Sequence, residues 1–240
     1  QKLAAFDWDG DGRPDLVAIF SDEDEYNPID SAMGKVPEDI RDRYTTDGQW
    51  KGKIDNWSLH LFRNTSSAGR FEFTYAGPVA LPDGPGPFQD AGGALCAVDP
   101  DDSSKGLLLV GYYGDLWHLP LVESGTSPTW GEIAELVSLH GAPFTRNAAF
   151  TAIDTGDICG EGRADLLASD TSSNVYWCKY LGDDNKDRPL YDDPRKIKQR
   201  DPHVNGGQFS VPTTGDWRGT GMADLVVGGV EGYVFWYRIL

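Results

Sequence analysis

The chain contains few positively charged residues and few histidines, and both facts restrict the classes of function that the sequence allows. Its 240 residues contain 21 lysines and arginines against 38 aspartates and glutamates, which gives a net charge of −17. Nucleic acids and anionic membranes are bound through basic surface, so this balance argues against both as partners. Only four histidines are available for catalysis or metal binding, and the sequence contains no nucleophile elbow, phosphate loop or zinc constellation.

Long apolar runs are also missing. No stretch approaches the ~20 residues that a membrane-spanning helix needs, and no signal peptide opens the chain. We therefore expect no membrane insertion, and a soluble protein that is either mature or excised from a longer one. A hydrophobic content of 39% with 12% aromatic residues is enough for a proper core, in one large all-β domain or two ordinary domains.

Cysteine is scarce, and its spacing matches neither a metal site nor a redox motif. The three cysteines are Cys96, Cys159 and Cys178, and an odd number leaves at least one thiol free or paired outside the chain. A Cys159–Cys178 bridge is one reading. We favour buried free thiols.

Aspartate, by contrast, is abundant in a particular pattern. The stretch "FDWDGDGRPDLVAIF", from Phe6, alternates aspartates through a glycine turn and then becomes strand-like. The oxygens it offers to calcium are the carboxylates of Asp7, Asp9, Asp11 and Asp15 and the carbonyl of Arg13. An EF-hand would need a glutamate where Ala18 stands, followed by a helix. A metal-free turn is the alternative, but so many carboxylates repel one another without a cation.

The pattern recurs, which makes it a structural repeat. Further copies are "AVDPDDSSKGLLLVG" from Ala97, "TGDICGEGRADLLAS" from Thr155 and "TGDWRGTGMADLVVG" from Thr214. The last three copies are spaced by about 58 residues, and the first interval is longer by about one 34-residue insertion, which we place at residues 22–56.

Each copy also predicts several strands. One strand precedes the acidic loop, a second follows it, and a third is "LHLFRN", "LWHLPL", "VYWCKYL" or "VFWYRIL". After the first copy, "RFEFTYAGPVAL" predicts a fourth strand. Four antiparallel strands at a regular repeat are typical of β-propeller blades, with approximate limits 1–82, 88–137, 145–200 and 207–240.

The combination of "DWDGDGRPDLV", a strand ending in "LFRN" and then "FEFTYAGPV" resembles the FG-GAP or VCBS repeats of integrin-like β-propellers. The resemblance covers nearly the whole chain. It implies an acidic loop between the first and second strands of each blade that carries structural calcium. For the first copy, the implied ligands are the five residues given above.

The other copies depart from this motif. The second keeps Asp99, Asp101 and Ser103, but Leu107 stands where Asp15 is expected. The third keeps Asp157, Glu161 and Asp165, with Cys159 in place of the second carboxylate, and these three carboxylates are predicted as a further calcium site. In the fourth, Arg218 lies between Asp216 and Asp224, where a fixed cation would substitute for the metal. The expected order of calcium binding is first, third, second, fourth.

The number of blades is incomplete for this family, whose propellers generally have seven. "YVFWYRIL" is the third strand of the fourth blade, so we expect this chain to be part of a larger propeller. The remaining blades would come from the same or another chain. A closed ring of four blades is the alternative.

The face opposite the acidic loops is the predicted ligand face, because antiparallel strands alternate direction and bring the insertion and the inter-blade segments there. These loops gather Arg41, Arg43, Tyr44, Trp50, Lys51, Lys53, His140, Arg146 and His203. Aromatic rings stack on sugars and arginine pairs with uronates. A secreted or extracellular module that binds a glycan or a protein ligand is therefore predicted to use Arg41, Arg43, Tyr44, Trp50, Arg146 and His203.

An enzyme is the competing prediction, since some polysaccharide lyases resemble this fold and abstract the C5 proton of a uronate with His, Tyr and Arg. The catalytic candidates are His140, His203, Arg146 and Tyr44. We favour binding over catalysis. His60 and His118 lie within strand patterns and are predicted to be packed between blades, each with a satisfied ring nitrogen.

Overall fold

The computed structural model describes residues 2–21, 57–79, 94–111, 113–125, 128–144, 149–198, 210–230 and 232–238. Within these residues the chain is all-β, and a single 3-10 turn at Ser103–Lys105 is its one helical element. Four antiparallel sheets are arranged as the blades of a β-propeller. The predicted fold class is therefore confirmed.

The first blade has four strands in sequential order. They are β1 (Lys2–Phe6), β2 (Asp15–Ser21), β3 (Trp57–Asn64) and β4 (Phe73–Pro78). The acidic loop joins β1 to β2, and the insertion at 22–56 joins β2 to β3. "FEFTYAGPV" supplies β4, as its alternation predicted.

The second and third blades also have four strands, and each carries an additional hairpin before its outermost strand. The second contains β5 (Leu95–Ala97), β6 (Leu107–Val110), β7 (Leu116–Leu119) and β10 (Ala134–Glu135), with hairpin β8 (Leu121–Glu123) and β9 (Thr129–Trp130). The third contains β11 (Phe150–Gly156), β12 (Asp165–Asp170), β13 (Val175–Cys178) and β16 (Arg195–Lys196), with hairpin β14 (Tyr180–Asp183) and β15 (Pro189–Tyr191).

The fourth blade has three strands in the part of the chain that the structure describes. They are β17 (Val211–Gly215), β18 (Asp224–Gly228) and β19 (Val234–Tyr237). The inner strands β1, β5, β11 and β17 of successive blades lie beside one another. No helix among the described residues is long and apolar enough to cross a membrane.

Blades stack through alternate residues of their strands. We call the side of a blade that packs on the following blade its forward face, and the opposite side its backward face. On the first blade the forward face includes Val17 and Leu61, which join Leu107 and Leu119 of the second blade's backward face in one buried cluster. Because side chains alternate along a strand, a strand of a blade that lies between two others contributes side chains to its interfaces with both neighbouring blades.

The same arrangement recurs at the next two interfaces. Leu108 of the second blade packs with Leu166 and Tyr176 of the third, and Leu167 of the third packs with Leu225 of the fourth. These leucines are at most 2% exposed. Repeated apolar layers between sheets hold the described blades together.

Two sequence predictions about single residues are settled by burial and hydrogen bonding. His118 is buried and its Nε2 lies 2.8 Å from the carbonyl oxygen of Lys105, while the half-buried His60 places Nδ1 2.8 Å from the hydroxyl of Tyr75. Burial lowers the pKa of His118. His118 is packed between blades with a bonded nitrogen, as predicted. His60 has a bonded nitrogen, but it lies opposite Ala18 on the side of the first blade that faces away from the second, so its predicted packing between blades is wrong within the described residues.

The cysteines are all free, so no Cys159–Cys178 bridge is present. Cys96 and Cys178 are buried, and burial raises the pKa of both thiols and keeps them protonated. Cys159 is exposed in the third acidic loop, which corrects the prediction of a buried thiol at that position. A turn of glycine and acidic residues has no apolar layer to bury it.

Candidate metal centre

The first acidic loop folds around the side chain of Asp7. Its carboxylate accepts the backbone N–H groups of Gly10 at 3.0 Å and Gly12 at 2.9 Å. Both glycines have positive φ, +74° and +84°, a conformation that glycine adopts without steric cost. The alternation of aspartate and glycine thus sets a tight turn with carboxylates on its inside.

Asp15 fixes the other end of the loop to the sheet. It is buried at the start of β2 and accepts the N–H of Asn64 at 2.6 Å and that of Trp8 at 3.3 Å. Burial raises the pKa of Asp15; the N–H of Asn64 acts against the rise, and the charge of Asp9 adds to it. A buried carboxylate beside another carboxylate favours a nearby cation.

Three of the predicted ligands converge. One carboxylate oxygen each of Asp7, Asp9 and Asp15 lies within 4.8 Å of the other two. Oxygens that share one calcium ion at 2.3–2.6 Å cannot be farther apart than about 5 Å. Hard oxygen donors at this separation fit calcium.

Asp11 is bonded to the backbone N–H and the side chain of Arg13. Asp11 is outside the group of three, and its carboxylate accepts the Nε–H of Arg13 at 2.9 Å and the backbone N–H of Arg13 at 2.9 Å. These bonds lower the pKa of Asp11. A cation from the loop itself therefore neutralises the carboxylate that sequence spacing assigned to calcium.

Arg63 is a residue of the first-loop site that the sequence analysis did not identify. Its guanidinium pairs with Asp9 from the end of β3. The register places Lys179 at the same position after β13 and Arg238 after β19. The signal was present in "LFRN", "WCKY" and "WYRI", where a cation follows the aligned third strand each time.

The third loop repeats the turn but separates its carboxylates. Asp157 accepts the N–H groups of Glu161 and Gly162 at 2.9 and 2.8 Å, as Asp7 does in the first loop. The carboxylate of Glu161 instead pairs with Lys179 Nζ at 2.7 Å. Asp165 accepts the N–H of Tyr180 at 2.9 Å. Among the described residues, Asp157, Glu161 and Asp165 do not converge as the first-loop carboxylates do.

The fourth loop contains the fixed cation that its sequence predicted. Arg218 Nε lies 2.9 and 3.0 Å from the two carboxylate oxygens of Asp224, which is fully buried. Asp216 accepts the N–H groups of Thr220 and Gly221, which lower its pKa. The guanidinium supplies the positive charge that an ion would supply elsewhere.

The second loop is one residue shorter than the alignment assumed. The N–H of Val98 bonds to the carbonyl oxygen of Gly106, so Gly106, and not Leu107, occupies the place of Asp15. A Cβ at Gly106 would collide with the carbonyl oxygen of Leu119. The loop keeps one ion pair, between Lys105 Nζ and Asp99 at 3.6 Å. The prediction placing Leu107 there was wrong, because equal loop lengths were assumed.

Of the residues predicted for the ligand face, one, His140, lies among those that the structure describes. His140 is exposed, with Nδ1 3.0 Å from a carboxylate oxygen of Asp193, and these two residues form with Asp192 a second group whose ligand atoms lie within 4.8 Å. Asp192 is paired with Arg195. The remaining predicted residues lie outside the described part of the chain: Arg41, Arg43, Tyr44, Trp50, Lys51, Lys53, Arg146 and His203.

No family model matches this chain, and no curated protein matches it either.

Proposed function

We propose that the chain is a calcium-stabilised β-propeller module that acts outside the cell and binds a glycan or a protein ligand. The convergence of Asp7, Asp9 and Asp15 is the observation that carries the calcium part. The ligand would contact the face formed by the insertion at 22–56 and the inter-blade loops. The resemblance to FG-GAP or VCBS repeats supports the same assignment.

The ion's role in this proposal is structural. Asp7 holds the loop through Gly10 and Gly12, and Asp15 reaches β3 through the N–H of Asn64. Calcium bound by these carboxylates would therefore link the loop to two strands of the first blade. Arg63 pairs with Asp9, so calcium must either displace this guanidinium or share the Asp9 carboxylate with it.

Calcium titration tests the metal site. We expect calcium added to chelator-treated protein to raise Tm, with isothermal titration calorimetry giving one site. Because a ligand stabilises only the state that binds it, an excess of about 100 Kd corresponds to about 2.7 kcal/mol in the free energy of unfolding. Asp9→Asn should abolish this increase. The matched control Asp216→Asn, in the fourth loop, should retain it, and an unchanged wild-type Tm would reject calcium stabilisation.

The ligand face can be tested independently of calcium. We expect immobilised uronate-containing oligosaccharides to retain the protein, because the predicted face combines aromatic and cationic side chains in an otherwise acidic chain. Arg41→Ala and Trp50→Ala should weaken retention, with Lys186→Ala as a cationic control in the third blade. Equal retention of all three variants would reject this face as the glycan site.

Polysaccharide lysis is the second candidate, and the His140–Asp193 pair favours it. A carboxylate at Nδ1 orients the imidazole and leaves Nε2 to accept a proton. In such a reaction the C5 proton would move to the base and the C5–H electron pair would form a C4–C5 double bond. The C4–O bond would break with its electron pair, and the leaving oxygen would take a proton from water and become a hydroxyl group. Ultraviolet absorbance of the unsaturated product is the measurement. Activity lost in His140→Ala would support lysis, and no product from any uronate polymer would exclude it.

The propeller would be completed by further blades, from the same or another chain. This part of the proposal rests on the family resemblance.

A further inference from the structure

The group formed by His140, Asp192 and Asp193 differs in chemistry from the group in the first acidic loop. One ligand atom of each of the three residues lies within 4.8 Å of the other two. The first-loop group offers only oxygens, which suits calcium, whereas this group includes an imidazole nitrogen. Imidazole together with carboxylates is a ligand set that zinc takes in proteins and that calcium does not.

The three side chains come from two segments that the fold already joins. His140 lies in the segment after β10 of the second blade, and Asp192 and Asp193 lie in the segment after β15 of the third. The N–H of Leu139 donates to the carbonyl oxygen of Tyr191 at 2.9 Å, so the two segments are bonded to each other beside the group. An ion bound there would strengthen this junction between the two blades.

A buried hydroxyl lies against Asp193. Ser138 is 2% exposed, and its hydroxyl holds down the pKa of the Asp193 carboxyl, to which the charge of His140 also contributes. Among the described residues, however, neither Ser138 Oγ nor Asp193 Oδ1 has a partner at ordinary hydrogen-bond geometry, although both atoms are buried. A buried carboxylate oxygen without a donor costs free energy, and a bound cation would remove this cost.

The separations within the group are close to those of a zinc site. His140 Nδ1 lies 3.0 Å from a carboxylate oxygen of Asp193. Two ligand atoms at about 2.0–2.1 Å from one tetrahedral ion are about 3.3–3.4 Å apart. The longest separation that the group allows, 4.8 Å, would have to shorten by about 1.5 Å. The side chains of His140 and Asp193 are 67% and 40% exposed, so both can rotate to shorten it.

Asp192 is the most constrained of the three ligands. Its side chain pairs with Arg195, and one of its oxygens accepts the N–H of Asp193 at 2.9 Å. Each carboxylate oxygen has two lone pairs, so Asp192 can keep these bonds and still bind an ion. The guanidinium of Arg195 repels a cation at this position, which makes Arg195 a residue that weakens metal binding.

We propose that His140, Asp192 and Asp193 bind one zinc ion, with water in the fourth position, and that this ion links the segment after β10 to the segment after β15. Three protein ligands and a water molecule are a common zinc coordination, and the exposure of His140 leaves room for the water. The proposal goes beyond the proposed function and depends neither on calcium in the first loop nor on a glycan.

Isothermal titration calorimetry of the chelator-treated full chain with zinc chloride tests the site. We expect one ion per chain, and binding at least tenfold weaker in His140→Ala and in Asp193→Asn, since each variant loses one of three ligands. Arg195→Met should strengthen binding by up to about fivefold, because an exposed competing cation is removed. Circular dichroism should remain that of the wild type. A wild type that does not bind zinc would overturn the proposal.

Variants of other zinc-binding groups serve as matched controls. Cys159→Ser removes the exposed thiol, Asp9→Asn alters the first acidic loop, and His203→Ala removes another predicted ligand-face histidine. All three should bind zinc as the wild type does. Binding that is lost in one of these variants and kept in His140→Ala would place the ion elsewhere and reject the proposal.

Hydrogen exchange distinguishes an ion that links the two segments from one that binds the surface only. Zinc should slow exchange of the Leu139 N–H, because the segments joined by its hydrogen bond cannot separate without releasing the ion. At a zinc concentration of about 100 Kd the slowing can reach about a hundredfold. His140→Ala should show no slowing. Zinc binding with unchanged exchange at Leu139 in the wild type would reject the link.

Discussion

The first and fourth acidic loops share one turn but arrange their carboxylates differently. In the first loop Asp7, Asp9 and Asp15 converge, and in the fourth Arg218 lies against the buried Asp224. A guanidinium can take the place of an ion only when its position in the loop directs it at the buried carboxylate. The comparison shows that the same backbone turn can hold its carboxylates in different arrangements.

Removing the guanidinium from the fourth loop should have the largest effect. Arg218→Met leaves Asp224 fully buried without its cation, and we expect a loss of about 3 kcal/mol or more in the free energy of unfolding. The double variant Arg218→Met/Asp224→Asn should recover most of it, because no charge remains buried. Urea denaturation measures both, and a loss below about 1 kcal/mol would contradict the assigned role of Arg218.

Placing the arginine of the fourth loop at the equivalent position of the first loop should replace the proposed calcium ion with a guanidinium. In Asp9→Arg, the introduced guanidinium occupies the position that Arg218 has in the fourth loop. We expect the calcium-induced stabilisation, about 2–3 kcal/mol in excess calcium, to disappear. Thermal unfolding with calcium and with chelator gives the difference. A calcium response equal to that of wild type would show that Asp9 is not a ligand.

The pH dependence of stability should differ with and without calcium. Burial raises the pKa of Asp15 above 3.8, so without an ion its ionisation destabilises the fold as pH rises through the folded-state pKa. Bound calcium favours the ionised form. The difference in Tm between calcium and chelator should therefore shrink as pH falls from neutral toward about pH 4. A difference that grows on acidification would contradict ligation by Asp15.

The exposed pair of the first loop should matter least. Arg13 and Asp11 are largely in solvent, and exposed ion pairs contribute ~0–1 kcal/mol. Arg13→Met should therefore change the midpoint of urea denaturation only slightly and should leave the calcium response in place. A loss as large as that of Arg218→Met would show that exposure does not explain the difference between the two loops.

Much of the fold could be predicted because the repeat makes local signals reinforce one another. All four strand-loop-strand units and β4 occur where alternation and turn residues placed them. The hairpins β8–β9 and β14–β15 were not predicted, since strands of two to four residues show too little alternation. The outermost strands β10 and β16, of two residues each, were missed for the same reason.

The site was harder to predict than the fold, because spacing fixes neither side-chain direction nor distant partners. Asp11 has the right spacing for calcium but bonds to Arg13, two residues away. Arg63 lies 54 residues from Asp9 in the chain and reaches it only through the pairing of β2 and β3. The second loop is one residue shorter than the first, so Gly106 occupies the position equivalent to Asp15.

The different environments of the three thiols make the protein suitable for site-directed labelling without mutagenesis. Cys96 and Cys178 are enclosed in the layer between the second and third blades, whereas Cys159 opens to solvent in the third acidic loop. Partial burial and the neighbouring Asp165 raise the pKa of Cys159, so a maleimide should react slowly and best at mildly alkaline pH. A fluorophore attached there would report on the third loop while the blade interfaces remain intact.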